Sequence, residues 1–301
     1  MATAAEPRPA ELPLPGGGRE STRVKLHPLL TAKGFAPPAF FLGEQGRFAW
    51  RRALGLGVPR SQWLAFPIPA FLVEHPSAGR ILIDTGFHGS VAVNPQANLG
   101  RLNARFFRGV EMEPDQAVAA QLRARGIQPA DVKVVVMTHL HSDHASAISD
   151  FPDATFVVSA AEWAAAAEGG PMHGYVKRQF DHGFDWRLLD FEGGDASSFS
   201  GFGRSFDLFG DGSVRTVYTP GHTLGHMSVV LSTVRGEVLI AADAVYLRRS
   251  LDDTHLPHRV ADEHLFRRSL REIRQYATET PDALIVPGHD WDAWEKLDAS
   301  Y

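Results

Sequence analysis

Val132-Lys133-Val134-Val135-Val136-Met137 runs without a break into Thr138-His139-Leu140-His141-Ser142-Asp143-His144. The first half is an apolar, β-branched run of the kind that forms a buried strand. The second half sets three imidazoles and a carboxylate within six positions at the end of that strand. Side chains alternate along a strand, so His139 and His141 point to the same side. A turn after them lets Asp143 and His144 face a second point nearby. One strand end then serves two adjacent metal ions, with two ligands each. Neutral imidazole and carboxylate suit Zn²⁺ and similar divalent cations. The competing account is a polar surface turn, and so dense a run of histidine argues against it.

The 301 residues leave ample room for a buried core. The sequence contains no cysteine. Disulfides, thiolate metal sites and cysteine nucleophiles are therefore excluded, and a metal site must be built from nitrogen and oxygen. A net charge of −5 gives no argument for nucleic acid or an anionic membrane as partner. No apolar run approaches the ~20 residues that span a bilayer. Residues 1–20 are rich in Ala, Pro, Gly and Glu and lack the basic and apolar regions of a secretory signal. They read as a flexible tail, with a packed arm as the alternative, ahead of a single catalytic domain over residues 21–301. A cytoplasmic location is the default expectation.

Strand and helix signals mix along the rest of the chain. Strands are expected at Val24–Leu30, Ala70–His75 and Arg80–Asp84, the last two joined by a hairpin at Pro76-Ser77-Ala78-Gly79. A helix is expected from about Glu113 to Arg125, with Pro114 in its first turn and Gly126 just past its end. Further strands fall at Thr155–Val158, Arg215–Tyr218, Met227–Leu231, Glu237–Ala241 and Ala283–Val286. A short helix fits Ala160–Ala167. The clearest helix covers 262–278, where Phe266, Leu270, Ile273 and Ala277 share a face and Asp262 caps the start. Residues 35–66 mix Phe35, Phe40, Phe41, Phe48, Trp50, Trp63 and Phe66 with Pro and Gly and carry no period. Such a segment either packs as core or lines an apolar pocket. The class is α/β, with sheets covered by helices.

Four strand-to-loop junctions carry a potential ligand: His139 to His144, His222, Asp243 and His289. Sites in open α/β sheets gather beyond the carboxyl ends of strands. Convergence of the four on one edge assembles five His and two Asp, about what two cations need if one carboxylate bridges. His222 and His289 each follow Pro-Gly, and glycine lets the backbone turn sharply beside a metal. His226 reads as a structural hydrogen-bonding residue. The other histidines lack ligand context, with His173 and His182 the two that a Gly-rich aromatic stretch could bring to the site. Ser142 has no neighbour that would make it a nucleophile.

The order His-x-His-x-Asp-His, a distant His, an Asp and a last His resembles that of the metallo-β-lactamase-fold hydrolases, from about residue 68 to about 295. The resemblance implies a four-layer αβ/βα sandwich with a dinuclear site at one edge. It assigns His139, His141 and His222 to one metal, and Asp143, His144 and His289 to the other, with Asp243 bridging. Ile83-Asp84-Thr85-Gly86 resembles an early family motif, which makes Asp84 the partner that orients a ligand histidine through its ring N–H. Asp243-Ala244-Val245-Tyr246, Thr219 to His226, and Gly288-His289-Asp290 resemble the N-acyl homoserine lactonase branch. Two departures bear on the substrate and not on the metals: Ala145-Ser146-Ala147 stands where those lactonases usually carry Ala-Gly-Gly, and the 35–66 segment is longer and more aromatic.

The implied function is quorum-quenching hydrolysis of a lactone, with an N-acyl homoserine lactone as the expected substrate. Two divalent ions, Zn²⁺ first and Fe, Co or Mn as substitutes, would hold a bridging hydroxide that attacks the carbonyl. Tyr246 is the expected hydrogen-bond donor to the carbonyl or oxyanion, against the plainer reading of a packed Tyr bonded to backbone. Asp143 is expected to relay the proton to the leaving alkoxide. Phe106, Phe107, Trp63 and Phe66 are the candidates for an acyl-chain pocket, or equally for core. The expected partner is a small molecule, an ester or lactone with an apolar chain, with no nucleic acid and no membrane; a homodimer is the open assembly state. The alternative is another hydrolase on the same scaffold, a thioesterase, β-lactamase or organophosphate esterase. A redox di-iron protein would put a carboxylate where His141 stands and add a flavin domain.

Overall fold

In the computed structural model, which describes residues 4–44, 46–253 and 255–301, the run Val132–Val136 is the middle strand of a seven-stranded sheet. The strands among the described residues are β1 (Arg8–Pro9), β2 (Lys25–Ala36), β3 (Leu64–His75), β4 (Gly79–Ile83), β5 (Val132–Val136), β6 (Thr155–Ser159), β7 (Asp185–Leu189), β8 (Ser197–Phe199), β9 (Phe202–Asp207), β10 (Val214–Tyr218), β11 (Met227–Thr233), β12 (Gly236–Ala242) and β13 (Leu284–Pro287). The first sheet has the order β1-β7-β6-β5-β4-β3-β2, and the second β13-β12-β11-β10-β9-β8. β4 to β7 and β1 run parallel, while β2 to β4 are antiparallel. In the second sheet only β12 and β13 pair in parallel.

The alternation of the central strand sorts its valines into two cores. Val134 and Val136 meet Ile81, Ile83 and Phe71 of their own sheet and Val229, Leu231 and Ile240 of the second. Val135 faces the other way, with Leu72, Leu82 and Phe156, under Val118 and Leu122 of helix Val118–Ala124. On the far side, Val217, Val230 and Leu239 lie under Phe266, Leu270 and Ile273 of helix Glu263–Glu279. The layers are thus helix, sheet, sheet, helix. Each such fully buried aliphatic contributes about 1.5–3 kcal/mol. Asp262 caps the long helix, its carboxylate accepting the N–H of Leu265.

Several elements differ from the sequence reading. The helix expected over 113–125 is a 3₁₀ turn at Pro114–Gln116 and a helix at Val118–Ala124. They are separated because Ala117 is extended, with φ −57° and ψ 140°. Gly126 takes φ +76°, as a residue past a helix end does. The first strand continues beyond Leu30 to Ala36 and pairs with β3 along its whole length. Two short helices, Pro38–Leu42 and Ala49–Ala53, occupy the aromatic segment.

Of the two readings of the N-terminal segment, tail or arm, the contacts over Ala4 to Leu14 are those of an arm, while residues 15–20 are exposed. Asp181 accepts the N–H groups of Ala4 and Ala5 at 2.7 and 3.0 Å, β1 pairs with the edge strand β7, and Leu14 enters the core between the sheets. An arm rich in Pro and Gly shows no period, yet it covers an otherwise open sheet edge. Among the described residues no helix is long and apolar enough to cross a membrane.

Candidate metal centre

The carboxyl ends of β4, β5, β10, β12 and β13 deliver Asp84, the 139–144 loop, His222, Asp243 and His289 to one edge of the sandwich. His139, His141 and His222 bring ligand atoms within 4.8 Å of one another, as do Asp143, His144 and His289. Asp243 stands between the two sets. Its Oδ2 lies 3.2 Å from Nε2 of His222 and 3.8 Å from Nε2 of His139. Its Oδ1 lies 3.2 Å from Nε2 of His289 and 3.3 Å from Nε2 of His144. One carboxylate oxygen therefore faces each set. Asp143 Oδ2 sits 3.6 Å from Nε2 of His289. All seven residues singled out from the sequence as ligands are brought together.

Two glycines make room for this. A Cβ on Gly288 would lie 2.7 Å from Oδ1 of Asp243, and Gly221 adopts φ +132° where a Cβ would overlap the backbone of Phe266. The ligand rings are held from behind. Asp84 accepts the Nδ1–H of His144 at 2.7 Å, the Thr138 N–H at 2.8 Å and the Thr138 hydroxyl at 2.8 Å. His289 donates its Nδ1–H to the Pro67 carbonyl at 3.0 Å, which leaves Nε2 free. Nε2 of His139 and His144 and Oδ1 of Asp243 are buried with no hydrogen-bond partner. A buried polar atom left unpaired costs about 1–3 kcal/mol, so three aimed at one point mark a place for a ligand.

The electrostatics agree with that reading. Burial holds the pKa of His139 and His222 well below the ordinary histidine value and brings His141 down to about 4. These rings are neutral and offer lone pairs. Burial also pushes His144 and His289 down, but nearby carboxylates, Asp243 first, outweigh it and raise both. Asp243 is pushed up by burial, yet His289, His222 and His144 hold it well below the carboxylate range. The set is thus a hard, oxygen- and nitrogen-rich cradle around an ionised carboxylate, and it fits a pair of divalent cations.

Tyr246 is buried, with its hydroxyl 3.2 Å from Nδ1 of His222. It meets the site and not backbone. Burial and then the carboxylates Asp243 and Asp143 raise its pKa well above normal, so it stays protonated. The four aromatic candidates separate. Phe66 is buried against His289, ring centroids 5.3 Å apart, and belongs to one cluster with Phe41 and Tyr246. Phe107 packs on that cluster, and Phe106 is exposed at its rim beside Phe40. Trp63 is not part of it; its Nε1–H goes to the Val58 carbonyl and Arg60 stacks on its ring.

His226 bonds Thr219, as a structural histidine would. Ser142 donates to the Gly174 carbonyl and accepts from Asn103, with no base beside it. His182 stacks on Phe184, whereas His173 lies in the turn that covers His141. The sequence reading missed Phe40, whose ring stacks on Tyr246 at 6.0 Å, and Gly174, where a Cβ would lie 2.6 Å from the ring of His141. The signal for Gly174 was its place in a glycine-rich turn; Phe40 lay in a segment without a period.

Comparison with known proteins gives the family. The model of the metallo-beta-lactamase superfamily matches residues 63–289. N-acyl homoserine lactonase AttM of Agrobacterium fabrum is 36% identical over 232 residues, covering 76% of this chain and 83% of that protein. A Bacillus thuringiensis AiiA structure with N-decanoyl-L-homoserine bound at the active site superposes with a TM-score of 0.72 at 22% identity, covering 92% of this chain and 97% of that one. AidC, a dizinc quorum-quenching lactonase in complex with a product, gives 0.61 at 14% identity, covering 92% of each chain. Its fold, its ordered set of ligand-bearing junctions and the matching family model together place this chain in the metallo-beta-lactamase superfamily.

Proposed function

We propose that the protein is a dinuclear-metal hydrolase that opens lactone rings, with N-acyl homoserine lactones as substrate. The observation that carries the proposal is Asp243, which turns one oxygen to each imidazole set beside the hydroxyl of Tyr246. The lactonase AttM supplies the substrate class, and the dizinc character of AidC favours zinc. Cations held by His139, His141 and His222, by Asp143, His144 and His289, and by Asp243 between them would supply Lewis acidity and lower the pKa of water from ~15.7 toward ~7.

The side chains then have distinct tasks. With Nε2 of His222 facing Asp243, its Nδ1 carries the proton and the Tyr246 oxygen accepts it. The phenol O–H points toward the Asp243 side of the site, and with that carboxylate engaged by cations it would donate to the lactone carbonyl, whose oxygen gains charge on attack by water and returns it as the ring C–O bond breaks. Asp143 carries a proton to the ring oxygen that leaves as an alkoxide. Phe40 and Phe41 pack on Tyr246, Phe66 and Phe107 belong to the same aromatic cluster, and Phe106 beside Phe40 extends it to the surface, where an acyl chain would lie.

Opening a lactone at neutral pH releases one acid equivalent. A pH-stat assay with N-acyl homoserine lactones of graded chain length is expected to show that release, with chelation stopping it and added Zn²⁺ restoring it. No acid from any chain length would remove the lactonase assignment.

A further inference from the structure

Glu162 is a carboxylate with no exposed surface that the chemistry above does not use. It sits in the first turn of helix Ala160–Glu168, where Ser159 caps its backbone N–H at 3.0 Å. Acidic residues in a first turn usually stay at the surface near the helix end. Here the side chain runs inward. Oε1 accepts the N–H of Leu140, the residue between His139 and His141, at 2.9 Å. It also accepts the hydroxyl of Tyr175 at 3.1 Å, and the ring of Tyr175 packs on His141 with centroids 5.0 Å apart.

The turn that carries Glu162 also packs on the loop that carries His222. Burial raises the pKa of Glu162, and its second oxygen, Oε2, is buried without a hydrogen-bond partner, as is the Thr223 hydroxyl. Ser159 donates to the Gly225 carbonyl at 2.6 Å, and a Cβ on Gly225 would overlap the backbone of Glu162. Segments 139–141 and 174–175 therefore meet on one buried carboxylate, and segment 222–225 packs on the backbone of the same residue. Burying a carboxylate is expensive unless its bonds do something that an apolar residue cannot. The bonds hold the backbone between His139 and His141 and the ring that packs on His141, and the backbone packing sets the His222 loop beside them. They touch neither Asp143 nor His144 nor His289, and the rings of the two histidines are set by Asp84 and the Pro67 carbonyl.

We propose that Glu162 is the positioning residue for the cation held by His139, His141 and His222, as Asp84 is for the cation held by His144. The proposal rests on the two-cation reading above. The support of the centre is then unequal: Glu162 acts on the backbone of one ligand set alone, whereas Asp84 holds the His144 ring of the other and also Thr138 beside His139.

The test is a stepwise Co²⁺ titration of the metal-stripped full chain, followed by calorimetry and visible absorption. Wild type is expected to bind two equivalents; fewer would overturn the two-cation reading itself, whatever the variants do. In Glu162→Gln a neutral amide replaces the charged acceptor of the Leu140 N–H and the Tyr175 hydroxyl, and one equivalent is expected to weaken by about 10–100-fold while the other is kept. Asp84→Asn, which loosens the His144 ring and also Thr138, is expected to weaken the equivalent held by His144, with or without the other, so the one-cobalt spectra of the two variants differ. Equal weakening of both equivalents in Glu162→Gln, wild-type binding, or identical one-cobalt spectra would overturn the proposal. Tyr175→Phe removes only one O–H from the same carboxylate, and it is expected to weaken the Glu162-dependent equivalent by a smaller factor. If Glu162→Gln does not fold, wild-type binding by Tyr175→Phe overturns the proposal and its selective weakening supports it.

Discussion

Tyr246 shows how one side chain serves both packing and chemistry. Its ring is wedged between Phe40, Phe41 and His289, and its hydroxyl reaches His222. Because the phenol stays protonated, it works as a hydrogen-bond donor and not as a base. Tyr246→Phe keeps the ring and its contacts and removes only the donor. Its kcat for lactone opening is expected to fall about 10²-fold or more, the cost of one lost oxyanion donor. Metal content and thermal stability should stay near wild type. An unchanged kcat would return Tyr246 to a purely structural role, and lost metal would make it a support for His222.

The strand-to-loop junctions place the ligands, and their glycines are where the geometry is tightest. At Gly221 the chain takes a left-handed turn against the N-terminus of helix Glu263–Glu279, and the N–H groups of Ala261 and Asp262 bond its carbonyl. Gly221→Ala puts a methyl into the backbone of Phe266 and is expected to cost about 1–3 kcal/mol in unfolding free energy from overpacking, with added backbone strain. The cation held with His222 should weaken at the same time, whereas Gly212→Ala, at a turn with open space, should leave it intact. Equal metal affinity in both variants would deny the junction its role. These junctions could be read in the sequence because each joins an apolar run to a short polar signature such as Pro220-Gly221-His222. The strand period set the two cores, and Asp84 was marked only by the resemblance of Ile83-Asp84-Thr85-Gly86 to a family motif. What could not be read lacks a period or acts over distance. The segment at 4–20 is Pro- and Gly-rich, Ala117 breaks a helical pattern by its backbone alone, and Glu162 looks like an ordinary first-turn acid. Trp63 looked like a pocket residue only because aromatic content says nothing about direction.

Metal, protons and folding are coupled through the two sheets that carry the ligands. In the cation-free protein His144 and His289 have raised pKa, since Asp243 and its neighbouring carboxylates outweigh burial. A raised histidine stabilises the fold below the ordinary value of 6.5, and that contribution fades as pH climbs through the raised value. Asp243, held low, stabilises above its ordinary value of 3.8 and loses that only in acid. Raising the pH from 6.5 through those raised values therefore strips the cation-free site of its imidazolium partners while Asp243 stays charged. Cations do the opposite: they need neutral imidazoles, displace the protons of His144 and His289, and bind more tightly as pH rises. Each site loaded at a hundred times its Kd adds about 2.7 kcal/mol. The Tm gap between metal-loaded and metal-stripped protein is thus expected to widen from about pH 6 upward, with proton release on loading that shrinks over the same range. A gap that narrows with rising pH, measured by calorimetry on both forms in matched buffers, would separate the seven ligands from the stability of the fold.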